Sequence, residues 1–94
     1  MAYGVITLDL GIPVSGSLKD KRSQIKPLMN RLHKEFNVSC AELDKQDKWG
    51  ETVIGCAMLA NDRRFLDAAL EKIPRFIQKH FPEIEIINFS IQLF

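Results

Sequence analysis

The chain predicts a two-layer α+β sandwich: elements in the order β-α-β-β-α-β, with one four-stranded antiparallel sheet carrying both helices on one face. Three observations predict it. Apolar residues alternate at period two in the first and last stretches and fill a pair of runs at the centre of the chain. Two longer stretches between them repeat apolar residues at three- and four-residue spacing. The whole is 94 residues long, room for one domain over residues 1–94, with no linker, repeat or low-complexity segment.

Residues 3–12 set Ile6, Leu8, Leu10 and Ile12 at period two with Thr7 and Asp9 between them, the alternation of a half-buried strand. Pro13 ends it, and residues 14–16 form a loop. Ser17 is the expected N-cap of the first helix, with Asp20 three residues on as a capping-box variant. Ile25, Leu28, Met29, Leu32 and Phe36 then form one helical stripe. Pro27 lies inside it, removes a hydrogen bond to the preceding turn, and predicts a bend. Asn37 closes the helix.

Residues 38–44 and 51–60 read as the strands of a hairpin joined by residues 45–50. A midpoint near Lys48 sets Cys40 opposite Cys56. Asn61 is the expected N-cap of the second helix. Its stripe is Phe65, Leu66, Ala69, Leu70, Ile73, Phe76 and Ile77, with Pro74 inside and Pro82 beyond the end. Ile87, Phe89, Ile91 and Leu93 alternate with Asn88, Ser90 and Gln92 as the fourth strand. Right-handed crossovers turn this order into a ferredoxin-like sandwich.

Composition narrows the function classes. Hydrophobic residues make up 46% and charged residues 27% of the chain, the balance of a globular domain. No apolar run is long enough to span a membrane. The N-terminal stretch lacks a basic region followed by an unbroken apolar core, so a secretory signal is not expected and the cytoplasm is the expected compartment. In that reducing compartment Cys40 and Cys56 read as small apolar fillers, and no Cys/His spacing suits a metal. No cofactor is expected.

The net charge is only +1, but it is unevenly spread. Residues 17–36 carry a net +4, residues 62–82 a net +2, and the remainder −5. Within the first segment, Ser15, Gly16 and Ser17 run into a helix start that also carries Lys19, Lys21 and Arg22. Free N–H groups at a helix start suit anions, whereas cations there are disfavoured by about 0.3–1 kcal/mol each. Two readings stand: a phosphate or RNA backbone held by Ser15, Ser17, Lys19, Lys21 and Arg22, or a solvated first turn capped by Ser17. Arg63 and Arg64 open the second helix and carry the same pair of readings. A basic helical layer suits contact with a nucleic-acid backbone. Sheet-face recognition through stacked bases needs aromatics on the central strands, where only Tyr3 is offered.

The third strand is apolar on both sides, with Ile54, Cys56 and Met58 alternating against Val53, Ala57 and Leu59. One side packs on the helices. The other, through Val53, Ala57 and Leu59, is a candidate interface for a homodimer or another partner. Catalysis finds little support. His33 and His80 are far apart on separate helices, Glu42, Asp44 and Asp47 suit a solvated acidic edge, and Trp49 suits a packing anchor. No nucleophile–base pair or phosphate-cradling glycine motif is present.

Several blocks together resemble the YlxP-like family of small bacterial proteins, a domain of unknown function. They are Ser17-Leu18-Lys19-Asp20-Lys21-Arg22, Phe36-Asn37-Val38-Ser39 with Ala41-Glu42, then Asp44, Gln46-Asp47 and Trp49, and Asn61-Asp62-Arg63. The similarity covers nearly the whole chain and implies a ferredoxin-like fold. The family's genes commonly lie beside those for translation initiation and ribosome maturation factors, which implies an RNA- or translation-linked role by association. Pro27, Pro74, Cys40 and Cys56 depart from the family pattern.

Three functions follow as expectations. The first is a non-enzymatic binding module for RNA or a ribosomal subunit. The second is a homo-oligomeric interaction or regulatory module using the open sheet face. The third is a phosphate-handling enzyme akin to the acylphosphatases, which share this fold but carry a glycine-flanked, arginine-terminated loop that this chain lacks.

Overall fold

A computed structural model describes residues 1–13 and 16–94. Its elements are β1 (Ala2–Gly11), α1 (Leu18–Phe36), β2 (Ser39–Asp44), β3 (Glu51–Ala60), α2 (Arg63–His80) and β4 (Glu85–Leu93). The sheet order is β2-β3-β1-β4, every neighbouring pair antiparallel. This is the ferredoxin-like sandwich expected from the pattern.

Alternation along the strands decides what lies inside. In β1, Ile6, Leu8 and Leu10 are fully buried under the helices, while Tyr3, Val5, Thr7 and Asp9 take the other face. Opposite them in β3, Ile54, Cys56 and Met58 face inward, with Ile6 paired to Cys56 and Leu8 to Ile54. From the helices, Ile25, Leu28 and Leu32 meet Leu66, Leu70, Ile73 and Ile77 in the same core. Each such Leu or Ile, taken fully out of water, contributes about 1.5–3 kcal/mol. Gly4 is required by close packing: a Cβ there would lie 2.8 Å from Leu93 Cδ2 and 2.9 Å from the Gln92 carbonyl.

The helix ends follow from local chemistry. Ser17 Oγ accepts the Asp20 N–H at 3.1 Å, and the Asp20 carboxylate accepts the Gly16 N–H at 3.2 Å. Asn37 ends α1 in the left-handed region at φ 55°, where its N–H reaches the His33 carbonyl. Two expectations are corrected on α2. The N-cap is Asp62, one residue past Asn61, because Asp62 Oδ1 accepts the N–H of Arg64 at 2.8 Å and of Phe65 at 3.4 Å. Phe65 does not join the core: it lies in the first turn and is 62% exposed. Pro27 and Pro74 both lie within unbroken helices.

The register of β1 and β3 also fixes where the helices begin. Gly11 pairs with Glu51 at one end of the sheet and Ala2 with Ala60 at the other. α1 follows the end of β1 and α2 follows the end of β3, so their N-termini lie at opposite ends of the molecule.

Candidate functional site

The two basic clusters expected at the helix starts are therefore not brought together. Lys19 and Arg22 are exposed at the start of α1, and Arg63 and Arg64 are exposed at the start of α2, a sheet length away. Ser17 spends its hydroxyl on the cap. Ser15 lies outside the described residues.

Lys21 leaves this group altogether. It is 1% exposed. Its ammonium sits 2.9 Å from Glu42 Oε2 and donates to the Lys45 carbonyl at 2.6 Å. The same Glu42 oxygen accepts the hydroxyl of fully buried Thr52 at 2.6 Å. A buried charge is tolerable only when paired and hydrogen-bonded, and here both conditions are met. Lys21 is thus a structural cation that ties α1 to the β2–β3 hairpin. The signal was present in the sequence: Lys21, Ile25, Leu28 and Leu32 fall at helical spacing on the buried stripe.

The remaining basic residues of the helices behave differently. Lys19, Arg22, Lys26, Arg31 and Lys34 on α1, and Arg63, Arg64, Lys72, Arg75 and Lys79 on α2, are all exposed. Among the described residues none of the ten forms an ion pair, since the four that exist belong to Lys21, Lys45 and Lys48. The helical surface is net positive, its exposed cations outnumbering the acidic side chains Asp20, Glu35, Asp67 and Glu71 of the same helices.

That surface is not flat. A groove of about 490 Å³ runs between the end of α1 and the outer side of α2. Phe36, Met58, Ala69 and Phe76 give it an apolar floor, and Lys72, Arg75 and Lys79 stand along it together with one carboxylate, Glu35. Phe36 and Phe76 meet edge to face at 5.3 Å, and the Arg31 guanidinium lies 5.2 Å from the Phe76 ring centre. Exposed Phe65 also lines it. An aromatic floor and a rim on which three cations outnumber the single carboxylate together suit an anionic ligand with flat, apolar parts. Sequence reading counted these cations but did not join them to the groove. The available signal was the spacing of Lys72, Arg75 and Lys79, three and four residues apart on one helical face.

The other candidates sort as follows. On the open sheet face, Ala57 and Leu59 are exposed and Val53 is half-buried, beside Tyr3 at 47% and Leu43 at 53% exposure. Leu43 lies over Gly55, where a Cβ would meet its Cδ1 at 2.5 Å. Glu42 is committed to Lys21 and Thr52, and Asp44 accepts the Lys45 N–H at 2.7 Å. No group of three or more His, Cys, Asp or Glu side chains among the described residues is arranged to hold a metal. His33 Nδ1 lies 2.8 Å from the Val38 carbonyl, and His80 packs on Phe76 at 4.4 Å. Trp49 is half exposed in the hairpin connection. No helix among the described residues is long and apolar enough to cross a membrane.

Comparison with known proteins gives three further findings. A family model described as "Protein of unknown function (DUF503)" matches residues 3–91. The chain is 39% identical over 71 residues to the uncharacterized protein YlxP of Bacillus subtilis (strain 168), covering 76% of each. Among solved structures, it is similar to the structural-genomics protein YJCS, with TM-score 0.52, 16% identity and 96% of each chain covered. It is also similar to the de novo designed protein Foldit4, with TM-score 0.51 and 17% identity over 98% of this chain and 96% of that one. At such identities the structural likenesses speak for the fold alone.

Proposed function

The chain belongs to the DUF503 family of proteins of unknown function, and from that premise we propose that it is a cytoplasmic, non-enzymatic RNA-binding module. Its helical layer holds RNA, in the setting of a ribosomal subunit or translation. One observation carries this reading: ten exposed basic side chains on the helices form no ion pair among the described residues, and several of them border an aromatic-floored groove.

An unpaired, fully hydrated lysine or arginine is free to neutralise a phosphate and release a condensed counterion. Lys72, Arg75 and Lys79 follow a backbone along the groove, while the exposed Phe65 offers a face to an unstacked base and the engaged rings of Phe36 and Phe76 form an apolar floor. Lys19, Arg22, Arg63 and Arg64 extend the contact toward the two ends. Lys21 takes no part. Co-sedimentation with ribosomal subunits across a salt series tests the setting. The expected result is binding at low salt that falls steeply as salt rises. Absence of binding at low salt contradicts it.

A second reading rests on the other face. Tyr3, Val5, Val53, Ala57 and Leu59 leave the open side of the two central strands apolar, with Leu43 folded over Gly55 beside them. Such a face suits a homodimer. Light scattering at high micromolar concentration is expected to give twice the monomer mass. A strict monomer contradicts this second reading and leaves the first untouched.

A further inference from the structure

Cys40 and Cys56 stand directly opposite one another, Cys40 on the edge strand β2 and Cys56 on the central strand β3. Their Sγ atoms are 3.2 Å apart, in hydrogen-bonding contact. Both sulfurs lie on the side of the sheet that packs against the helices. Cys56 is fully buried, whereas Cys40, on the edge strand, is only partly buried.

Directly opposed residues of antiparallel strands hold their Cα atoms about 4.5–5.5 Å apart. A disulfide spans Cα separations of about 4.4–6.8 Å. The backbone spacing therefore already suits a bond, and closing it needs only that the two sulfurs rotate toward each other. We infer that Cys40 and Cys56 form a redox-active dithiol, an oxidative modification site that low-molecular-weight disulfides convert to a cross-strand disulfide.

The chemistry divides unequally between the two sulfurs. Cys40, as thiolate, attacks one sulfur of the small disulfide. The S–S bond of the reagent breaks, and its second half leaves as a thiolate that takes up a proton. Cys40 now carries a mixed disulfide. Cys56 gives up its proton, and its sulfur attacks the Cys40 sulfur, expelling the remaining half of the reagent as a second thiol. Two electrons pass from the cysteine pair to the reagent, and one disulfide has been exchanged for another. The environment supports this order. The hydrogen bond between the two sulfurs holds the Cys40 thiol below its ordinary value. The same bond, together with burial, pushes the Cys56 thiol well up. The attacking sulfur is thus the less buried one, and the resolving sulfur is sheltered until the mixed disulfide forms.

The test is intact-mass analysis of the reduced, folded protein treated with hydroxyethyl disulfide, alongside C40S and C56S. The wild type is expected to lose two hydrogens and retain no reagent, and a reducing thiol is expected to reverse the change. C56S is expected to keep one reagent half as a stable adduct on Cys40. C40S is expected to stay unmodified over the same time, since Cys56 is sheltered. The wild-type result stands without either variant. A wild-type protein that retains adducts, links to a second copy, or stays unmodified while an exposed peptide thiol reacts overturns the inference.

Discussion

The hairpin end of the molecule and its helical surface use positive charge in opposite ways. At the hairpin end every lysine is spoken for: Lys21 holds Glu42 at 2.9 Å, Lys45 reaches Asp9 at 3.4 Å and Glu51 at 3.7 Å, and Lys48 reaches Glu51 at 3.9 Å. On the helical surface ten basic side chains are exposed with no ion pair among the described residues. Lys19, Lys21 and Arg22 show the contrast within one helical turn. The first and third point to water, while the second is buried on the stripe that faces the sheet. A basic motif is therefore not one functional unit. Its middle residue belongs to the fold and its neighbours to the surface.

This contrast can be broken at its strongest point first. Glu42→Ala removes the counter-charge of a buried cation, leaving Lys21 with only the Lys45 carbonyl and Thr52 without its carboxylate acceptor. Removing one member of a buried pair costs about 3–5 kcal/mol, and the edge position of Glu42 puts the expected loss near the lower end, read by urea denaturation. The double variant Lys21→Met with Glu42→Leu is expected to recover most of that loss, because an apolar pair of similar size leaves no charge stranded. Equal losses in the single and double variants contradict the ion-pair account.

The surface side of the contrast predicts a different kind of loss. Reversing Lys72, Arg75 and Lys79 to Glu is expected to weaken RNA binding at least about 30-fold, roughly 2 kcal/mol, while leaving the denaturation midpoint nearly unchanged. Lys21→Met is expected to do the reverse, moving stability and leaving RNA affinity alone. A Lys21 variant that loses RNA binding while fully folded collapses the distinction.

Two smaller effects sharpen it. Asp62→Ala deletes the α2 cap and is expected to cost about 1 kcal/mol. Lys45→Ala disrupts only partly exposed pairs, worth about 0–1 kcal/mol at low salt and less at high salt. Thermal melts at two ionic strengths separate the two, since the cap hydrogen bonds of Asp62 respond weakly to salt.

Most of the fold was legible in the sequence because burial repeats at the period of the element that carries it. The strand alternation of Ile6, Leu8 and Leu10 and the helical stripe of Ile25, Leu28 and Leu32 each match a buried face. The pairing of Cys40 with Cys56 followed from counting about the hairpin centre and agrees with the register. What escaped was of another kind. Asn61 and Asp62 are both good caps, and only the extended backbone of Asp62, which brings its carboxylate to the N–H groups of Arg64 and Phe65, decides between them. Phe65 continues the apolar spacing but lies in the first turn, where it stays in water. Lys21 was read by its charge, although its spacing assigned it to the core. The groove escaped because it is made by Phe36 and Phe76 from two helices whose contact no local pattern encodes.

The central claim is that the unpaired cations of the helical layer are there for phosphates. Fluorescence anisotropy of a labelled single-stranded RNA oligomer, titrated at several salt concentrations with the wild type and the Lys72/Arg75/Lys79 reversal, tests it most directly. The account predicts wild-type affinity that falls linearly on logarithmic axes, with a slope shallower by about 2 in the variant, as three phosphate contacts are lost. Wild-type binding that ignores salt, or a variant with the same affinity and slope, contradicts it.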